Sequence, residues 1–269
     1  MLKSVSRFTF SWYLLFSILF LPPLFSQDKS LDRFEKRTFR GSQGDKLLYR
    51  VLPPRELEKG KKYPLVLFLH GAGERGSDNR KQLVHGMKDF ASAEVAAKYP
   101  AFVIAPQCPS GKQWVEVPWS AKSHKLPAEP SVPLRLSLEL VDQSIASLPI
   151  DPSRVYVTGL SMGGYGTFDA ICRRPGLFAA ALPICGGGDE NLAPKIRSVP
   201  IWIVHGDADR VVVPSRSENM FEALKKAGGS PRLTMLKGVG HNSWSSTYSN
   251  PATYQWLFSQ KRKGKATDR

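Results

Sequence analysis

One serine has neighbours that would make it a nucleophile. Residues 159–164 read GLSMGG and lie between an apolar run, residues 155–158, and a segment with helical spacing that begins at Tyr165. A strand, the pattern G-x-S-x-G and a helix predict a sharp turn that lifts the serine hydroxyl above a sheet edge, with glycines where side chains would collide. N–H groups at the helix start would stabilise negative charge there. The pattern predicts Ser161 as a nucleophile for acyl transfer; a glycine-rich turn without chemistry is the alternative.

A serine hydroxyl needs a base within hydrogen-bond reach, and a third group must orient that base. In proteins that use this turn, the chain order is serine, acid, histidine. Only His205 and His241 follow Ser161. His205 ends an apolar run, and no acid on a separate strand precedes it after the serine. His241 lies in a glycine-flanked loop after the last predicted strand, so it is predicted as the base.

The acid is expected on the loop after the apolar run at residues 201–204, where the chain offers Asp207 and Asp209. Asp209 is predicted because it lies farther beyond the strand end. The apolar residues 211–213 that follow it would anchor the loop. Asp207 is expected to bond loop amides as a turn residue. The two acids with exchanged roles remain the alternative.

Backbone N–H groups would have to hold the oxyanion of an acyl-transfer intermediate. The N–H of Met162, next to the nucleophile, is predicted as one donor. The second donor is expected in residues 70–76, HGAGERG, after the first buried strand. Ala72 is predicted there, with Gly71 as the alternative. A phosphate-binding loop is disfavoured because no Lys-Ser/Thr pair follows the glycines.

Two tryptophans are candidate walls for an aromatic or apolar acyl group. Trp114 lies in a long segment rich in Pro and Lys, residues 109–133, which is expected to be a surface excursion near the site. Trp244 follows the predicted base by three residues. Each could instead pack in the core.

The remaining pattern predicts the scaffold. Residues 34–40 and 46–52 alternate apolar and polar side chains around a turn, which predicts an antiparallel hairpin. Short apolar runs then alternate with stretches at helical spacing, which is typical of βαβ units with a parallel sheet buried on both faces. The runs are residues 65–69, 101–105, 155–158, 179–184, 201–204 and 232–236. The helical stripes contain Leu134, Phe168 and Met220, and residues 251–258 predict a closing helix. No repeat or low-complexity linker interrupts them, so residues 27–269 are predicted to form a single domain.

The first 26 residues differ from the rest. Lys3 and Arg7 precede an apolar run, residues 12–25, that ends at Ser26, which is the layout of an export signal. A secreted or periplasmic protein is therefore expected, and an uncleaved anchor is the alternative. Pro22 and Pro23 interrupt the run, which is shorter than the roughly 20 residues of a spanning helix. The only membrane contact expected is through this segment if it is retained.

Charge and cysteine content narrow the function classes. The formal net charge is +15 at pH 7, but the basic residues are scattered or lie in the tail, so no nucleic acid partner is expected. Three cysteines form no disulfide framework, and none has a Cys or His at metal-ligand spacing. No metal or cofactor is predicted, and the sequence does not define the oligomeric state.

These motifs together resemble the phospholipase/carboxylesterase and dienelactone-hydrolase branch of the α/β hydrolases. The resemblance spans residues 63–260 and is carried, in the family's order, by residues 70–75, 159–164, 205–213 and 240–244. The segments GAGERGS (71–77), APQCP (105–109) and HNSW (241–244) are similar to those of secreted bacterial proteins labelled predicted peptidases, which resemble feruloyl esterases and polyhydroxybutyrate depolymerases. The resemblance implies an α/β-hydrolase fold with a mostly parallel sheet, helices on both faces and an N-terminal antiparallel hairpin.

The residues and the resemblance lead to one expected reaction. We expect a serine ester hydrolase that acts on a small-molecule or polysaccharide-linked ester, as a carboxylesterase or a feruloyl or acetyl esterase does. A peptidase of the prolyl-oligopeptidase type and a polyhydroxybutyrate depolymerase are the alternatives within the fold. A secreted binding protein that has lost activity is the alternative of another class.

Overall fold

One eight-stranded sheet runs through residues 29–262, the part of the chain that the computed structural model describes. The predicted export signal, residues 1–26, lies outside the described residues. The strands are β1 (Glu35–Arg40), β2 (Lys46–Leu52), β3 (Tyr63–Leu69), β4 (Phe102–Pro106), β5 (Ile150–Leu160), β6 (Ala180–Ile184), β7 (Trp202–Gly206) and β8 (Arg232–Leu236). Their spatial order is β1-β2-β4-β3-β5-β6-β7-β8. The hairpin β1–β2 and the pair β2–β4 are antiparallel, and all other neighbours are parallel, as expected for an α/β-hydrolase fold.

Eight helices connect or follow these strands within the described residues. They are α1 (Met87–Ala91), α2 (Ala93–Lys98), α3 (Val132–Ser147), α4 (Met162–Arg173), α5 (Ala193–Ile196), α6 (Ser215–Lys226), α7 (Trp244–Tyr248) and α8 (Pro251–Ser259). The apolar stripes predicted α3, α4, α6 and α8. The other four have at most six residues, too few for a helical stripe to be visible in the sequence. Single 3-10 turns lie at Lys29–Arg33, Ala72–Glu74, Lys81–Leu83 and Glu190–Leu192.

Side-chain alternation along the central strands creates a hydrophobic core on each face of the sheet. On β3, Leu65, Leu67 and Leu69 belong to the core that α3, α4 and α6 cover, whereas Val66 and Phe68 belong to the opposite core. All five are fully buried. Successive residues of a strand point to opposite faces, so a strand covered on both faces must be apolar throughout. This burial explains why the strands appear in the sequence as continuous apolar runs.

Parallel pairing brings the ends of the central strands to one edge of the sheet. The last residue of β3, Leu69, lies opposite Gly159 of β5, and Leu160 lies opposite Ile184, the last residue of β6. The loops after β3, β4, β5, β6, β7 and β8 therefore leave from the same edge, where ligands bind in open α/β sheets. Every residue predicted for the site lies on one of these loops or directly beyond it, and Trp114 lies on the loop after β4.

The three cysteines, Cys108, Cys172 and Cys185, are buried and form no disulfide in the structure. Among residues 29–262, no helix combines the length and apolar character needed to cross a bilayer.

Candidate active site

The backbone at Ser161 is strained. Its φ of 53° and ψ of −117° are costly for a residue with a side chain, and its N–H donates to Ile184 O at 2.9 Å. Ser161 directly precedes α4, so the turn joins a buried strand to a helix N-terminus. The tight geometry predicted for residues 159–164, here called the serine turn, is present.

Three side chains from distant loops form one hydrogen-bonded chain. The Ser161 hydroxyl lies 2.9 Å from His241 Nε2, and His241 Nδ1 lies 2.7 Å from Asp209 Oδ2. Nδ1–H donates to the carboxylate, which leaves the Nε2 lone pair facing the serine proton. The His241 side chain is 21% exposed and that of Asp209 is fully buried, so substrate can reach the imidazole but water cannot surround the acid. The arrangement can move a proton from Ser161 to His241.

The Asp209 carboxylate is held on both oxygens. Its Oδ1 accepts the N–H groups of Val211 at 2.8 Å and Val212 at 3.0 Å. Burial alone would raise the pKa of Asp209, but the hydrogen bonds from His241, Val211 and Val212 outweigh it and the pKa lies below its ordinary value. The acid is therefore ionised at neutral pH, as a group that stabilises an imidazolium must be.

The other acid on the loop bonds the backbone. Asp207 Oδ1 accepts the N–H of Gly238 at 2.7 Å, and Ala208 N–H donates to Val239 O at 3.0 Å. A Cβ at Gly206 would overlap Val239 O, so only glycine allows this approach. These contacts join the acid loop (residues 207–213) to the histidine loop (residues 237–243).

The structure adds a second histidine that sequence reasoning set aside. His205 is fully buried, and its Nε2 lies 3.1 Å from Asp209 Oδ2 and 2.9 Å from Val212 O. Its Nδ1 lies 2.7 Å from the hydroxyl of Ser217, on α6. Burial lowers the pKa of His205 below its ordinary value. The signal in the sequence that could have identified this contact is the His-x-x-x-Asp spacing at the end of β7.

The predicted oxyanion donors lie in two segments that pack against each other. Met162 is the first residue of α4, so its N–H has no acceptor within the helix. Ala72 begins a 3-10 turn, and its carbonyl accepts Arg75 Nε at 2.9 Å. A Cβ at Gly71 would lie 2.8 Å from the Leu160 side chain, so the loop rests on the serine turn. The loop that contains Ala72 therefore lies against the serine turn that contains Met162.

The two tryptophans differ in position. Trp114 has no exposed surface; its Nε1 donates to His70 O at 2.9 Å, and its ring packs edge-on against the His70 ring. This burial contradicts the prediction that Trp114 lines a substrate pocket, because the side chain supports the loop after β3 from below. Trp244 is half-buried, with its ring centroid 5.3 Å from that of His241. Its role as a wall for an aromatic or apolar acyl group stays a prediction.

One group of potential metal ligands overlaps the site. Ligand atoms of Cys185, Asp209 and His241 all lie within 4.8 Å of one another. Burial raises the pKa of the Cys185 thiol to about 12, so the thiolate that metals bind is strongly disfavoured.

Tight contact between the serine turn and β3 gives a testable consequence for folding. A Cβ at Gly163 would overlap the carbonyl oxygen of Leu69, whereas one at Gly73 would meet nothing within 4 Å. We expect Gly163→Ala to lower the free energy of unfolding by at least about 2 kcal/mol, because the backbone must shift. Gly73→Ala, the control, should change it by less than about 1 kcal/mol. Urea unfolding measures both, and equal effects would contradict the packing described.

A buried neutral histidine beneath the site predicts acid lability. His70 Nδ1 lies 2.6 Å from Gly71 O, and its Nε2 accepts the N–H of Cys108 at 2.9 Å. Burial lowers the pKa of His70 from 6.5 to about 4. The unfolded chain takes up this proton first as pH falls, so stability present above pH 6.5 is lost between pH 6.5 and 4.

The expected loss from His70 between pH 7 and pH 5 is about 2 kcal/mol. Urea unfolding at both values checks it. His70→Asn should be less stable than wild type at pH 7 but lose less on acidification. His85→Asn, at a side chain that is 33% exposed, is the matched control. An unchanged pH dependence in His70→Asn would contradict the assignment.

Comparisons with known proteins identify the family to which this chain belongs. A model of the phospholipase/carboxylesterase family matches residues 56–253. A protein named probable carboxylesterase from Oryza sativa subsp. japonica is 28% identical over 214 residues, which cover 73% of this chain and 78% of that protein. Poly(3-hydroxyalkanoate) depolymerase C from Paucimonas lemoignei is 51% identical over 164 residues, which cover 48% of this chain and 40% of that protein.

A solved structure shows the same fold. A thermostable esterase superposes with a TM-score of 0.80 and 39% identity over 86% of this chain. This chain spans 64% of the length of that esterase.

Proposed function

We propose, since this chain belongs to the phospholipase/carboxylesterase family of α/β hydrolases, that it hydrolyses carboxylic esters through an acyl-enzyme on Ser161. The observation that carries the proposal is the placement of His241 between the Ser161 hydroxyl at 2.9 Å and the Asp209 carboxylate at 2.7 Å. The names of the relatives, a carboxylesterase and a thermostable esterase, favour esters as the substrates.

The reaction begins with proton transfer inside this chain of side chains. His241 Nε2 takes the proton of Ser161 as Oγ bonds to the ester carbonyl carbon, and Asp209 stabilises the resulting imidazolium. The N–H groups of Ala72 and Met162 hold the oxyanion. When the intermediate collapses, the C–O bond to the alcohol breaks and the leaving oxygen takes the proton from His241. Water then attacks the carbonyl carbon of the acyl-enzyme, with His241 again taking the proton, and the carboxylic acid product is released as Ser161 recovers its proton.

Strain at the serine turn supports the same mechanism. Holding Ser161 at a positive φ costs about 1–3 kcal/mol, which the tie to Ile184 O and the packing of Gly163 sustain. Strained residues of this kind cluster at active sites, where the surrounding packing maintains them, so the conformation of Ser161 favours a chemical role. Trp244 is proposed as a wall of the acyl or alcohol site because its ring lies beside that of His241.

The substrate class is proposed more broadly than the reaction. A small-molecule or polysaccharide-linked ester is proposed, with no metal or cofactor in the mechanism.

Export through residues 1–26, and a mature chain that begins at residue 27, are also proposed. The mass of the protein recovered outside the cytoplasm tests that cleavage.

A substrate panel tests the reaction. We expect turnover of aryl esters of short acids, with feruloyl and acetylated-sugar esters included to define the acyl group, and slow or absent cleavage of peptide anilides. Rapid anilide cleavage without ester turnover would establish a peptidase instead. No ester turnover together with no covalent labelling by a fluorophosphonate would favour the inactive binding protein.

A further inference from the structure

The acid of the site accepts hydrogen bonds from two histidines on the same oxygen. Asp209 Oδ2 lies 2.7 Å from His241 Nδ1 and 3.1 Å from His205 Nε2. The His205 and Asp209 side chains have no exposed surface, so water does not compete for these bonds. The mechanism above uses His241 and leaves His205 without a role.

The surroundings of His205 define which of its nitrogens carries the proton. Its Nε2 faces two acceptors, the carbonyl of Val212 and the carboxylate of Asp209, and a lone pair there would be repelled by both. Its Nδ1 faces the hydroxyl of Ser217 at 2.7 Å, and that hydroxyl also lies 3.1 Å from Gly186 O, so its one proton can go to either atom. Burial lowers the pKa of His205 and keeps the ring neutral. The neutral ring therefore carries its proton on Nε2.

We propose that His205 is a positioning residue for the reaction, which donates its Nε2–H to Asp209 Oδ2 and so holds the carboxylate in the orientation that serves His241. This inference rests on the proposed ester hydrolysis. The amides of Val211 and Val212 hold Oδ1, so loss of the His205 bond would free the carboxylate to turn about the other oxygen. In the tautomer that this role requires, the single Ser217 hydroxyl proton is directed to His205 Nδ1, at 2.7 Å, rather than to the carbonyl oxygen of Gly186, at 3.1 Å.

The hydrogen bond from His205 to Asp209 also weakens the negative charge that the carboxylate presents to His241. A donor on a carboxylate spreads its negative charge, so removal of that donor would strengthen the attraction between Asp209 and the His241 imidazolium. Other titratable groups facing the carboxylate are the Cys185 thiol, after β6, and the Tyr165 hydroxyl, on α4. These two stay unchanged in the variants below, so a shift of the pH–rate profile reports on His205.

A matched pair of substitutions tests the role. His205→Gln can place an N–H near the position of Nε2, whereas His205→Met has a similar length and no donor. We expect His205→Met to lower kcat about tenfold with KM nearly unchanged, and to move the acidic limb of the pH–rate profile upward by about half a pH unit. His205→Gln should recover most of the loss and the wild-type profile. Wild-type kcat and profile in a folded His205→Met protein would overturn the proposal, as would equal loss in both variants.

Two further measurements keep the test decisive if the Met variant does not fold. Nitrogen NMR of the wild-type imidazoles should show His205 protonated on Nε2 and unprotonated on Nδ1 at neutral pH, and the opposite tautomer would overturn the proposal. Ser217→Ala should lower kcat in the same direction by a smaller factor, about threefold. Absence of ester turnover in the wild type refutes the proposed function; turnover that is indifferent to His205 refutes only this inference.

Discussion

Replacement of Ser161 by alanine is expected to abolish covalent labelling by a fluorophosphonate and to lower ester turnover by about 10⁴- to 10⁶-fold. The hydroxyl is the atom that would attack the carbonyl, and in the structure only its contact with His241 Nε2 at 2.9 Å activates it. Steady-state kinetics on an aryl ester, together with gel detection of the label, measure both effects. The protein should still fold, because Ala can occupy the turn at a cost similar to that of serine.

The companion variants separate a nucleophile from a binding residue. His241→Ala should lose turnover to a similar extent, and the double variant should be little worse than either single one, because the two side chains act as a unit. Multiplicative losses would indicate independent roles and contradict the shared proton transfer. Full labelling of Ser161→Ala would show that another residue is the nucleophile.

Asp209→Asn should lower kcat by about 10³- to 10⁴-fold. An amide that turns its NH₂ group toward His241 Nδ1 would force that nitrogen to be an acceptor, so the proton moves to Nε2 and the ring can no longer accept the serine proton. The bonds from Val211 and Val212 to Oδ1 favour this orientation, because the amide oxygen must stay where those N–H groups point. Kinetics at several pH values check the loss.

Asp207→Asn is the matched control, with the same change two residues away. The Asp207 carboxylate accepts one bond, from the N–H of Gly238, and an asparagine oxygen can accept the same bond. We expect kcat within about threefold of wild type. The reverse ranking of the two variants would show that Asp207 orients the imidazole.

Much of the fold could be predicted because burial on both faces leaves a direct record in the sequence. The runs at residues 65–69 and 101–105 became β3 and β4, and the alternating segments at the N-terminus became the hairpin β1–β2. The strand order could not be read, because the insertion of β3 between β4 and β5 depends on contacts between segments far apart in the chain. Helices α1 and α7 are too short to leave a periodic signal.

Some side chains of the site could likewise be predicted from the sequence, whereas the positions of others could not. Ser161, Asp209 and His241 could be named from motif and chain order, and the structure brings them together. The sequence left two positions open for Trp114, a substrate wall or the core, because a tryptophan within a Pro- and Lys-rich segment resembles an exposed one; in the structure it is buried. His205 was considered only as a competing base. Its contact with Asp209 depends on how the chain turns after β7 and on the position of Ser217 in α6.

The sequence by itself determined the type of chemistry that we propose, since the serine turn and the glycines around it are local patterns with local physical causes, and the order of serine, acid and histidine can be read along the chain. Only the tertiary structure decided which nitrogen faces which oxygen, which tryptophan is out of reach of a ligand, and that a second imidazole bonds the acid. These three features depend on distances of a few ångströms between loops. The loops leave the same edge of the sheet but follow strands that are far apart in the chain. No local pattern encodes such distances, because packing of the whole core sets them.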